Sequence, residues 1–123
     1  MRVILAGGRD FSDYDGMVQG IADSGFEISQ VVSGGARGAD ALGEKYAKKN
    51  GIELNIFPAD WEQFGKAAGH IRNAEMADNA DALIAFWDGE SRGTKNMIET
   101  AKTKGLKVYV HKYRQESIWD DLF

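Results

Sequence analysis

Five short apolar runs alternate with segments of helical periodicity, and this alternation restricts the chain more than any other feature. The runs are "RVILAGG", "ISQVVSGG", "IELNIFP", "ADALIAFWDG" and "LKVYVHK", rich in Val, Ile, Tyr and Phe and spaced about 25 residues apart. Four of them end in Gly or Pro. Continuous apolar runs of this length read as strands buried on both faces. Between them, "ADALGEKYAKKNG" places Ala39, Leu42, Tyr46 and Ala47 on one helix face. Glu44, Lys45, Lys48 and Lys49 take the other, and Gly51 supplies the stop.

"HIRNAEMADNA" and "TKNMIETAKTKG" have the same character, the second with an expected cap at Thr94 and apolar Met97, Ile98 and Ala101. "YDGMVQGIADSG" is a weaker helix, because Gly16 and Gly20 each cost up to about 1 kcal/mol relative to alanine. The order is therefore β-α-β-α-β-α-β-α-β. Right-handed crossovers between buried strands leave few topologies. The expected fold is α/β, a single Rossmann-like three-layer α/β/α sandwich with a five-stranded parallel sheet ordered 3-2-1-4-5. "PADWEQFGKAAG", opened by Pro58, reads as one long connection, and long connections in compact domains are often functional.

With 123 residues, 43% of them hydrophobic and 28% charged, the chain suits one soluble globular domain. That domain is expected to span residues 1–112, with 113–123 an amphipathic tail. Ile118, Trp119, Leu122 and Phe123 of the tail are expected to pack on the domain or on a partner subunit of a homodimer or higher homo-oligomer. No apolar run approaches the roughly 20 residues of a membrane helix, and no signal pattern is evident, so a cytoplasmic protein without a membrane partner is expected. There are no cysteines, and His70 and His111 are isolated, so neither a metal nor another cofactor is expected. A net charge of -4 and a pI near 5.1 disfavour nucleic acid as a partner.

The arginines are distributed unlike the lysines. In an open parallel sheet, ligands bind beyond the carboxyl ends of the strands, where helix N-termini present amides. Those ends are "AGGRDFSD", "SGGARGAD", "PADW" and "FWDGESRGT". Of six arginines, Arg9, Arg37 and Arg92 lie in these turns, and Arg72 follows the long connection. Most of the nine lysines sit on helix faces or near helix ends. A guanidinium grips phosphate or carboxylate in a bidentate fork, and glycines let the backbone approach a ligand. Arg37 thus reads as an anion clamp in a glycine cradle, or as a solvent-facing side chain on a tight turn.

Other residues carry paired readings. Asp40 is a helix-start residue or a brace for Arg37 before it is a base. Asp10 and Asp13 are turn and cap residues first. Asp88 and Glu90 flank the fourth turn beside Trp87, as partners of a base or ribose or as a solvated acidic loop. Trp61 and Phe64 form a stacking platform or pack the loop on itself. His70 reads as a polar loop histidine, with proton donor as the alternative.

Taken together the motifs resemble a known group. "SGGARGAD" resembles the Ser-Gly-x-Ala-x-Gly-x-Asp turn of DprA/Smf DNA-processing proteins, and "AGGRDFSD" their first-strand Gly-x-Arg turn. "GTKNMIE" resembles the Gly-Thr helix start of LOG phosphoribohydrolases. These families form the SLOG superfamily, and "FPADWEQFGKAAGHIRNAEMA" with "SRGT" is similar to its YspA-like bacterial and phage branch. The resemblance implies a nucleotide-ligand site. It implicates Gly7, Arg9, Ser33, Gly34, Gly35, Arg37, Gly38, Asp40, Arg72, Asn73, Arg92, Gly93 and Thr94. Gly8, Asp60, Trp61 and Asp88 of the same turns complete the expected set.

The LOG pattern has a catalytic glutamate where this chain has Met97. Glu99, two residues on, is turned by about 200° and does not replace it. The DprA type also requires a basic track for single-stranded DNA, which an acidic chain does not offer. The first expectation is therefore a module that senses or sequesters a small nucleotide-derived ligand, such as an adenine nucleotide, ADP-ribose or an NAD derivative. The second is a nucleotide N-glycosidase or phosphoribohydrolase-like hydrolase using Asp10, Asp88 or Glu90, and the third a nucleic-acid or protein-interaction module.

Overall fold

A computed structural model describes residues 1–113. Strands β1 (Arg2–Gly7), β2 (Gln30–Ser33), β3 (Glu53–Ile56), β4 (Ala82–Trp87) and β5 (Lys107–Lys112) form one sheet ordered β3-β2-β1-β4-β5. Every neighbouring pair is parallel, so the α/β sandwich with a 3-2-1-4-5 sheet is what the chain adopts. The central strands β1, β2 and β4 are buried almost throughout, whereas the edge strands β3 and β5 are only half-buried.

Alternation along β1 divides the core. Val3 and Leu5 face a cluster that includes Met17 and Ile21 of helix α1 (Tyr14–Ser24) and Ala39 and Ala47 of helix α2 (Ala39–Lys49). Ile4 and Ala6 face the opposite cluster. It contains Met76 and Ala77 of helix α4 (Ala68–Asp78) and Met97, Ile98 and Ala101 of helix α5 (Arg92–Thr103). The helices thus form a layer on each face.

Two expectations are corrected. The segment after Pro58 is not an extended loop: helix α3 (Trp61–Phe64) and a 3-10 turn (Gly65–Ala67) lead directly into α4. Asp60 caps α3 by accepting from the Gln63 amide at 3.1 Å. Helix α5 is capped by Ser91, whose Oγ accepts from Thr94 N at 3.4 Å; Thr94 lies inside the first turn and is buried. The weak glycines of α1 have a packing reason at Gly20, where a Cβ would press on the Phe86 ring and on His111.

Of the expected tail, only Tyr113 falls within the described residues. Its hydroxyl donates to Asp10 Oδ1 at 2.6 Å and its ring packs on Phe11. Ile118, Trp119, Leu122 and Phe123 lie outside the described residues. Among the described residues, no helix is long and apolar enough to cross a membrane.

Candidate functional site

The sheet order reverses direction between β1 and β4, and a crevice opens at the carboxyl ends of strands flanking such a reversal. Here that crevice is a cleft of about 560 Å³. Gly7 and Gly8 form its wall at the end of β1, and Ala6, Met76 and Met97 supply an apolar floor continuous with the core. Asp88, Ser91, Gly93 and Thr94 bring in the fourth turn and the N-terminus of α5. Asp40, Arg72 and Asn73 close the inner side, and Arg9, Lys66, His70 and Trp61 stand around the mouth.

The turns are held together by α4. Arg72 donates through Nη1 to the Gly34 carbonyl at 2.6 Å and through Nε to Asn73 Oδ1 at 3.2 Å. Asn73 Nδ2 in turn donates to Asn96 Oδ1 at 2.9 Å and to the Gly93 carbonyl at 3.5 Å. One dipeptide of α4 therefore ties the second turn to the start of α5. Gly38 completes the join to the first turn. Its φ is 74° and ψ is -125°, and any Cβ there would run into the Gly8 carbonyl oxygen.

Asp40 is only 6% exposed and accepts from the Ala36 amide at 3.1 Å. Burial pushes its pKa up to about 6, against the opposing pull of that amide and of the Arg72 and Arg9 charges. Asp40 thus sits in the first turn of α2, as expected of a helix-start residue, and the guanidinium whose charge acts on it most is that of Arg72, where the alternative was a brace for Arg37. Burial also lowers the pKa of Arg72, with Asp40 acting in the other direction.

The remaining carboxylates of the cleft are engaged as acceptors. Asp88 Oδ1 accepts from the Glu90 and Ser91 amides, both at 2.8 Å, which shapes the turn into α5. Asp10 accepts from Tyr113. Arg9 and Lys66, by contrast, form no side-chain hydrogen bond or ion pair among the described residues.

Not every expected residue reaches this cleft. Ser33 is fully buried; its Oγ donates to Glu44 Oε2 at 2.8 Å and accepts from the Gly35 amide at 3.1 Å. Gly34, Gly35 and Arg37 line an adjoining hollow of about 330 Å³. Gly38, Asp60, Glu90 and Arg92 line neither space. The cleft also has walls that sequence reasoning did not single out for binding: Lys66, Ser91 and the Met76 floor. Lys66 was legible as a cation in the connection, but only the turn over Gly65–Ala67 brings it to the mouth. Trp61 is 52% exposed and its ring edge lies over Gly69, so it is not packed into the loop's own interior.

A model of the YspA, cpYpsA-related SLOG family matches residues 1–64, which contain the first two turns and the start of the third. The chain is also similar to the Gene 61 protein of Mycobacterium phage D29, with 35% identity over 117 residues, covering 87% of this chain and 93% of that protein. With the parallel sheet and the glycine turns at its carboxyl edge, these matches establish that the chain belongs to the YspA, cpYpsA-related SLOG family.

Proposed function

We propose that the protein binds a phosphorylated nucleotide or nucleotide-derived ligand in the cleft between the first and fourth turns. One observation carries this reading. Arg9 and Lys66, which have no side-chain partner among the described residues, line the same cleft as the N-terminus of α5, together with an apolar floor and an exposed indole. The opening amides of a helix have no intrahelical acceptor and favour an anion. Gly93 leaves that approach open, with no atom near where its Cβ would be. Arg9 and Lys66 add full charges, and Trp61 offers a face for a base. Family membership supports a nucleotide-related role. Under this reading the protein acts in the cytoplasm as a sensor or sequestering module.

A second reading, hydrolysis of the bound nucleotide, is favoured by Asp40. A carboxyl whose pKa is pushed up to about 6 in a cleft is suited to proton transfer near neutral pH. Of the expected carboxyls, Asp10 is engaged by the Tyr113 hydroxyl and Asp88 by backbone amides, Glu90 is off the cleft, and Met97 stands where the resemblance to the LOG pattern puts a glutamate. Asp40 is therefore the carboxyl this reading would use.

The test is the melting temperature of the purified chain with AMP, ADP, ATP, GMP, GDP, ADP-ribose, NAD and a short DNA strand. A ligand at 100 times its Kd adds about 2.7 kcal/mol, which raises the midpoint of a domain of this size by about 10 °C. A rise with phosphorylated nucleotides is expected; a rise with DNA alone would refute the reading. Chromatography of the same mixtures for free base or released phosphate distinguishes binding from hydrolysis.

A further inference from the structure

Beside the cleft lies the hollow of about 330 Å³, walled by Arg9, Arg37, Arg72, Gly34, Gly35 and Trp61. No carboxylate lines it among the described residues. Arg9 and Arg37 make no side-chain hydrogen bond or ion pair among those residues. Arg72 is fixed by its Nη1 bond to the Gly34 carbonyl, which aligns one guanidinium edge against the turn. Arg9 acts on Arg72 as a neighbouring like charge, and Arg37 lines the same space, so an anion placed there meets a favourable field. Each guanidinium is also shaped to grip phosphate in a fork. Arg9, Ala36, Trp61 and Arg72 line both spaces, so cleft and hollow are contiguous with Arg9 at the junction.

Resting on the nucleotide reading, we infer that the ligand carries at least two phosphoryl groups, one at the α5 end of the cleft and one in the arginine hollow. A monophosphate occupies only the first position. The ligand class is thus a nucleoside diphosphate, polyphosphate or diphosphate-bridged nucleotide, and Arg37 is the residue that distinguishes it from a monophosphate. Arg37 is exposed, so its replacement does not disturb the core.

Calorimetric titration at fixed ionic strength tests this with AMP, ADP, ATP, GMP, GDP, ADP-ribose, NAD and inorganic pyrophosphate. The proteins are the unmodified chain, Arg37→Ala, and Lys48→Ala as a charge control on the last turn of α2. One diphosphate is expected to bind at least about 10-fold tighter than its monophosphate, since charge-assisted contacts of this kind reach that size. Arg37→Ala should remove that advantage and leave monophosphate affinity unchanged, while Lys48→Ala changes neither. Equal affinity for mono- and diphosphates, or equal loss of both in Arg37→Ala, overturns the inference. Pyrophosphate binding that depends on Arg37, with no nucleotide bound, would keep the hollow as a diphosphate site and refute the nucleotide reading. Binding of none of the probes refutes both.

Discussion

Asp40 shows how much of the site is decided by a single side chain. Its folded pKa of about 6 lies above the ordinary 3.8, so its sign is that of a destabilising charge. The stability it contributes is fully present below about pH 4 and is lost as the pH rises through 6, a cost of about 3 kcal/mol. Asp40→Asn keeps an oxygen for the Ala36 amide and removes the charge. The variant is expected to melt above the unmodified protein at pH 8, with the gain shrinking toward pH 4. A gain or loss that stays constant with pH would contradict the burial argument. The acid in "GAD" was legible in the sequence as a helix-start residue, but its electrostatic neighbour was not. Arg72 stands 32 positions away, and only packing of α4 across the sheet brings the two together.

Elements set the spacing of the turns, and Gly38 is where two of them meet. The start of α2 lies against the first turn, with Ala39 N donating to the Gly8 carbonyl at 3.1 Å. Gly38→Ala combines a backbone region that L-residues avoid with a collision on that same carbonyl. A loss of about 3 kcal/mol or more is expected in urea unfolding. A loss below about 1 kcal/mol, the ordinary cost of a surface change, would show that the turns are not locked as described. Most elements were readable from periodicity, since β4 and the body of β1 are continuous apolar runs, β2 centres on the buried pair Val31 and Val32, and α2 and α5 have clean apolar faces. Helix α3 was not, because none of Trp61–Phe64 is buried and no apolar period marks it. The signal that was available is local: Asp60 with Gln63 three residues later has the form of a capping box.

For the whole molecule, parallel strand order predicts the edge at which a ligand binds before any side chain is considered. That edge, and the arginines gathered at it, followed from the alternation of elements. The division of the edge into a cleft and a hollow did not. It depends on Trp61 and Arg72, which arrive from the connection between β3 and β4 and stand between the first and second turns. Two expected clamps separate accordingly: Arg37 belongs to the hollow, and Arg92 lines neither space.

A phosphorylated nucleotide is proposed to occupy the cleft at the carboxyl ends of β1 and β4. The measurement that tests it most directly is a backbone amide NMR titration with the nucleotide that most raises the melting temperature. The predicted result is that the amides of Gly7, Gly8, Arg9, Gly93 and Thr94 and the Trp61 indole shift together, at one saturating concentration. Shifts confined to α1 and the solvent face of α2, with these groups unmoved, would contradict it.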